Sequence, residues 1–441
     1  MRTDRIWALR TPFDREIAVL GIPALGALVA DPLLSLVDTA FVGRLGGDAL
    51  GALGVSSAVF AVAFFAFNFL EYGTTSLVAR AVGAGDVQRA GRATVSAFVL
   101  ALGLGVLAAV LLEVLLGPIL GVMGATGGVK AEATTYLRIR ALAIPAVLVI
   151  RAGHGSYRGY QDTRTPLIVT LGVNAVNLVL DPVLIFGAGW DIAGAAWATV
   201  IAQWVGAVWF VVGVARRRAR LGITVLRTRF DELLAFLAVG RALAIRSASL
   251  LAAFTVATAV ATRVGDDAVA GHQVVMQLFI FLALGVDALA IAAQAMVGRR
   301  AGAGDVEEGR FISDRLVVMG MAVGLALAAV LAAIAGPLPG WFTDDPAVIA
   351  EIRSIYWFLV VLQPLAAVVF VWDGVFLGLA DFAFLAGAMF LSAVVTCVVL
   401  LAVLPLGWPL TGVWWGMIVL IVTRLLTLAW RRATPAGPLA R

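Results

Sequence analysis

The sequence predicts an all-α polytopic membrane protein with 12 transmembrane helices, built as two parallel six-helix repeats. Composition is the first reason. Hydrophobic residues make up 62% of the 441 positions, charged residues 13%, and the mean hydropathy is +1.02, well beyond the roughly 45–50% apolar content of soluble domains. Apolar runs of about 20 residues, enough to cross a bilayer core, recur along the whole chain. The third reason is a duplication at a constant offset of 219 residues. It pairs Arg44 with Arg263, Asp48 with Asp267, Gly83-Ala84-Gly85-Asp86-Val87 with Gly302-Ala303-Gly304-Asp305-Val306, Pro145 with Pro364, Gly155 with Gly374, Gly159 with Gly378 and Asp162 with Asp381. A repeat of this kind builds a two-lobed transporter.

Apolar runs bounded by Gly, Pro and charge place the spans near 15–41, 50–78, 93–117, 132–151, 165–187, 193–214, 234–261, 270–297, 311–336, 354–378, 382–404 and 411–430. The expected organisation is an N-lobe over 1–214, a basic cytoplasmic linker over 215–233 and a C-lobe over 234–441. Each lobe holds an even number of spans, so the two enter the membrane with the same polarity, related by an axis along its normal, and a cavity is expected between them.

The first span begins after Arg2, Arg5, Arg10 and Arg15, contains Asp31 and Asp38 and lacks a signal-peptidase pattern, so it reads as a retained helix. Asp31, Ser35 and Asp38 stand at i, i+4 and i+7, on one helix face. Pro23 and Pro32 interrupt the same helix and give it a place to bend. The second span carries Asn68 and Glu71, candidate cavity-lining groups, with Phe64 and Phe67 beside them as a surface for a flat apolar ligand. The fifth carries Asn174, Asn177 and Asp181 on one face, and the sixth presents Thr199 about two turns from its start.

Asp38, Asp181 and Thr199 fall at one depth. An ionised carboxylate at the bilayer centre costs about 2.5–3.5 kcal/mol even on the mild insertion scale, so such residues are functional candidates by default. Two carboxylates, an amide and a hydroxyl suit either a proton shared between acids or a hard cation such as Na⁺, and no cation of the N-lobe spans is expected to neutralise them. Asn177 and Thr199 by themselves would be ordinary interhelical hydrogen-bonding groups.

The seventh, eighth and tenth spans differ from their N-lobe counterparts. Asp38 corresponds to Ala257 and Asp181 to Leu400, while charge appears at Arg246, Asp287 and Asp373. An Arg246–Asp287 ion pair is expected, with Asp373 left near the inner end of the tenth span. His154 and His272 lie toward helix ends and read as satisfied side chains. Trp190 and Trp408 read as interfacial anchors.

Of the 32 basic residues, 23 lie in the two tails and alternate loops, 6 in the opposite set and three within spans, which puts both termini in the cytoplasm of a cell inner (plasma) membrane protein. That loop placement outweighs the pI near 10.0 as a signal of nucleic-acid binding. Cys397 stands alone in a span, so there is no disulfide framework. Lys130, the sole lysine, has no Gly-rich phosphate loop around it, and no catalytic constellation is visible, so neither ATP hydrolysis nor an enzyme activity is expected. No sizeable extramembrane domain supports a receptor.

Val37-Asp38-Thr39 with Pro23 upstream, the run from Asn177 to Asp181-Pro182, and Gly194-Ala195-Ala196-Trp197-Ala198-Thr199 resemble the multidrug and toxic compound extrusion (MATE) family across all twelve helices. Thr74 through Arg80 and Trp372-Asp373-Gly374 through Gly378 resemble its DinF-like branch. The resemblance implies two V-shaped lobes in alternating access, acting as a monomer without a cofactor. Such a protein would export organic cations or other amphipathic small molecules through the lipid membrane in exchange for H⁺ or Na⁺. It makes Asp38 the principal coupling carboxylate, completed by Asn177, Asp181 and Thr199, and Pro23 the hinge. Where some members place a Tyr one turn before the helix 1 Asp, this chain has Leu34, which removes one Na⁺ ligand and favours H⁺. The alternatives are a flippase for lipid-linked oligosaccharide or cell-wall precursors, with a more cationic cavity, and an organic-anion exporter.

Overall fold

A computed structural model describes residues 11–223 and 230–434, with the side chains of 62–64, 230 and 231 outside the described set. Helices account for nearly all of it, and no strand occurs among the described residues. The reason is solvent: without water, backbone N–H and C=O groups must be satisfied within each span. Fourteen helices result: α1 (Asp14–Gly43), α2 (Gly47–Phe67), α3 (Phe69–Gly83), α4 (Val87–Val122), α5 (Gly127–Ala141), α6 (Ile144–Gly159), α7 (Arg164–Pro182), α8 (Asp191–Arg216), α9 (Phe230–Val264), α10 (Asp266–Ala303), α11 (Val306–Ala333), α12 (Pro346–Gly378), α13 (Phe382–Val403) and α14 (Leu410–Ala433). Two expected spans are broken. The second is α2 with α3, interrupted at Asn68, and the fourth is α5 with α6, bent by 50°. Counted with those breaks, twelve stretches are long and apolar enough to cross a membrane. A short π-helical turn, Val183–Gly187, follows Pro182 at the end of α7.

The chain forms two compact units, Ile22–Gly240 and Met1–Gly21 with Arg241–Arg441. Gly21 and Gly240 are themselves 219 residues apart, so the first turns of α1 and of α9 are each grouped with the unit opposite to the rest of their helix. The start of α1 is tied down there by Asp14, whose carboxylate accepts from Arg315 Nε at 2.9 Å and Nη2 at 2.8 Å. At the far end of the expected linker, Glu232 accepts from Arg92 Nε at 3.1 Å and Ser96 Oγ at 3.0 Å, holding the start of α9 on α4.

Local structure repeats with the sequence. Gly85 (φ 72°) and Gly304 (φ 75°) turn the chain with left-handed backbone. Asp86 and Asp305 then cap α4 and α11, accepting from Arg89 N at 2.8 Å and Glu308 N at 3.0 Å. Gln161 (φ 62°) and Ala380 (φ 59°) form a second matched pair. In the first unit α6 packs centrally against α3, α4 and α8; in the second, α12 packs against α10, α11 and α14. A side chain on Gly159 would press on Thr75 O at 3.0 Å, and one on Gly378 on Gln294 O at 2.6 Å. Thr75 and Gln294 are again 219 apart. The duplication therefore specifies the same close helix approach twice.

Candidate functional site

Three helices of the first unit bring the expected coupling residues together. Asn177 and Asp181 are one turn apart on α7 and both buried; Asn177 Nδ2 donates to Asp181 Oδ1 at 3.2 Å and to Thr199 Oγ1 on α8 at 3.4 Å. Thr199 Oγ1 in turn donates to Ala195 O at 3.0 Å, which fixes its rotamer. Asp38 on α1 is near enough for its charge to act on Asp181. Asp38 Oδ1 and Asp181 Oδ2 are buried with no hydrogen-bond partner among the described residues. Unsatisfied buried carboxylate oxygens are costly, and an oxygen-rich set of this kind fits a proton or a small hard cation. No group of three or more His, Cys, Asp or Glu side chains that could hold a metal ion occurs among the described residues.

Two residues of this site went unrecognised in the sequence, and one corrects the expectation that no cation neutralises the acids. Tyr136 and Arg140 stand one turn apart on α5, and Arg140 acts electrostatically on Asp38, Asp181 and Tyr136. The guanidinium carbon of Arg140 lies 4.9 Å from the Phe60 ring centroid and 5.9 Å from that of Tyr136. By loop placement Arg140 groups with the outer basic residues, although it sits inside the fourth predicted span at i+4 from a tyrosine. That spacing was the available signal. With both acids ionised the site carries one net negative charge, and Tyr136 supplies the phenol that Leu34 does not.

A second polar cluster lies deeper along α1. Asn68 and Glu71, the candidate cavity-lining groups, hold arginines of α6. Arg151 Nη1 donates to Asn68 Oδ1 at 2.7 Å and to Glu71 Oε2 at 3.3 Å, and Arg158 pairs with Glu71 Oε1. Asp31 belongs here too, hydrogen-bonded by Asn174 and within the field of Arg151. The α1 stripe is thus divided, Asp31 serving this cluster and Asp38 the upper one. His154, well inside α6, lies 3.4 Å from Thr170 Oγ1 and packs on Phe210; His272 Nε2 lies 3.3 Å from Thr258 Oγ1. His272 Nδ1, by contrast, is buried with no hydrogen-bond partner among the described residues. Phe67 is half-buried, while the Phe64 side chain lies outside the described residues.

In the second unit Asp373, expected to stand apart, instead joins Arg246 in one charge network. Asp373 on α12 is the carboxylate at the centre: Arg246 Nη2 on α9 donates to its Oδ2 at 2.7 Å, and Arg424 on α14 pairs with the same oxygen. Asp287 acts on Arg424 from α10. Arg246 and Arg424 stand on different helices, and which of them reaches Asp373 depends on helix packing that no spacing encodes.

Twelve apolar helices in duplicated six-helix units, with an incompletely neutralised acid pair buried in one of them, define a membrane transporter. The MatE family model matches residues 23–183 and 242–403, once in each repeat, and the chain belongs to that family of multidrug and toxic compound extrusion transporters. Among curated relatives it is similar to Protein DETOXIFICATION 44, chloroplastic, of Arabidopsis thaliana, 35% identical over 96% of this chain and 83% of that protein. It is also similar to DNA damage-inducible protein F of Escherichia coli K12, 31% identical over 96% of this chain and 94% of that protein, which places it with the DinF-like members. A solved structure of MATE in the bent conformation shares the fold with a TM-score of 0.89 at 23% identity, covering 98% of this chain and 97% of that one.

Proposed function

We propose that this protein is a secondary active antiporter, exporting organic cations and other amphipathic compounds in exchange for H⁺ by alternating access, with Asp38 as the coupling carboxylate. The observation that carries this reading is the pair of unpartnered buried oxygens, Asp38 Oδ1 and Asp181 Oδ2, in a site whose single arginine leaves one negative charge uncompensated. One monovalent cation neutralises it. Leu34, where some members of the family place a tyrosine, removes one Na⁺ ligand and supports a proton over Na⁺ held by Asp38, Asn177, Asp181 and Thr199.

A proton on Asp38 removes charge from α1 and lets that helix repack. Pro23 is the natural hinge, because it has no N–H to give the helix and stands one residue beyond the start of the first unit at Ile22. Bending there would repack α1 against its neighbours in the first unit and release cargo outward; loss of the proton to the cytoplasm would restore the straight helix. The termini are taken as cytoplasmic and the working unit as one chain.

The second reading, an organic-anion exporter, draws on Arg140, whose Nε and Nη1 are buried without a hydrogen-bond partner. A flippase for pyrophosphate-linked lipids gains less, because Arg151, Arg158, Arg246 and Arg424 are all engaged by acidic or amide groups.

Efflux of fluorescent organic cations from proteoliposomes, with H⁺ and Na⁺ gradients imposed separately, tests the proposal. Efflux driven by the proton gradient alone is expected. Efflux that only a Na⁺ gradient drives refutes proton coupling, and counterflow of a lipid-linked precursor or a tricarboxylate without any cation transport refutes the substrate class.

A further inference from the structure

The geometry points to a binding site for an anionic phospholipid on the outer face of α8, separate from the acid pair. Its floor is an open groove of about 790 Å³ whose walls include Leu142, Trp197, Trp204, Val208 and Trp209 and whose end is Arg216. Every lining residue except Arg216 is apolar or a tryptophan.

The groove borders the break in the fourth span. The 50° bend between α5 and α6 falls at residues 142–143, and Leu142 there lines the groove. A backbone carbonyl at such a break needs a partner in an apolar setting. The Leu142 carbonyl finds one in Trp204 Nε1, at 3.0 Å, so the indole is locked across the gap as a wall. Trp209 is seated against Gly172 of α7, where an added Cβ would lie 2.8 Å from its ring. Two of the three tryptophans are thus fixed by neighbouring helices, and the concavity is a built feature.

Charge decides what fits. Beyond the end of α8 the chain reads Arg216-Arg217-Arg218 and then Arg220, all exposed. Arg217 is engaged by Asp162 at 3.4 Å and by the Tyr157 ring at 5.6 Å. Arg216, Arg218 and Arg220 have no side-chain hydrogen bond or ion pair among the described residues, so a cationic rim remains at the mouth of an apolar channel. From Arg216 to Trp204 is twelve residues, about 18 Å along the helix, and one leaflet occupies about 15 Å of the hydrocarbon core. A phosphodiester at Arg216 therefore lays an acyl chain along Val212 and Val208 with its end near Trp204. A zwitterionic lipid offers the same chain but places its own cation among the arginines.

Binding of dioleoyl lipids to the purified full chain in detergent, read by native mass spectrometry, tests this. Phosphatidylglycerol is expected to bind at least about fivefold more tightly than phosphatidylcholine, the preference that one basic side chain near the headgroups supplies. Arg216→Gln should remove about that factor for phosphatidylglycerol and leave phosphatidylcholine unchanged. Val208→Trp, which fills the channel and keeps the arginines, should weaken both lipids. Equal affinity for the two lipids overturns the assignment, as does a preference that survives Arg216→Gln. Competition by soluble glycerol phosphate at matched concentration also overturns it, because the acyl groove would then contribute nothing.

Discussion

Glu71 and Asp373 each hold two arginines inside their own unit, and the chemistry of that arrangement sets their mutational behaviour. Removing one member of a buried charge group costs about 3–5 kcal/mol, because the partner keeps its desolvation penalty, whereas replacing the whole group by apolar residues is mild. Asp373→Asn should therefore lower the thermal midpoint of the purified protein sharply, since Arg424 and Arg246 would lose their common acceptor. The quadruple change Asp373→Leu, Asp287→Leu, Arg246→Met, Arg424→Met, which also removes the carboxylate acting on Arg424, should recover most of that loss; a quadruple variant less stable than Asp373→Asn would argue against a structural role. Legibility at this scale was uneven for a physical reason. Acids in an apolar run are conspicuous, so Asp38 and Asp181 stood out with Asn177 and Thr199 around them. Arg140 did not, because a basic residue near a span end reads equally well as an orientation signal. Ion-pair partners depend on which helices touch, and helix packing adds Asp373 and Arg424 to the charges expected around Arg246.

At the scale of elements, the 219-residue offset implies two repeats of one fold, and the structure repeats helix caps, left-handed turns and glycine contacts at that offset. The offset did not reveal that the repeats differ in continuity. Where the first unit breaks at Asn68 and again after Ala141, the second runs unbroken through α10 and α12. Apolar periodicity is unchanged by a local break, so hydropathy cannot register one. The glycines give a direct test. A methyl on Gly378 would press on the Gln294 carbonyl at 2.6 Å, and backbone cannot give way as a side chain does, so Gly378→Ala should cost about 1–3 kcal/mol. At Gly387 nothing lies within 4 Å, and Gly387→Ala should be neutral or slightly stabilising in the same melting experiment. Equal midpoints for the two variants would contradict the close approach of α12 to α10.

For the molecule as a whole, the excess of basic residues in alternate loops predicts that Gly85 and Gly304 lie on the cytoplasmic side. Cysteines placed at those positions on a Cys397→Ala background should resist impermeant thiol reagents in intact cells; labelling there would invert the topology. Orientation matters because the direction of a proton gradient, and so the direction of export, is defined by it. The proposed coupling rests on Asp38, the one carboxylate of the acid pair carried by the helix that contains Pro23. The most direct measurement is efflux by Asp38→Asn under an imposed proton gradient, in proteoliposomes where ligand binding is measured in parallel. Coupling through Asp38 predicts a folded protein that still binds ligand and has lost gradient-driven efflux. Pumping at the wild-type rate would contradict it.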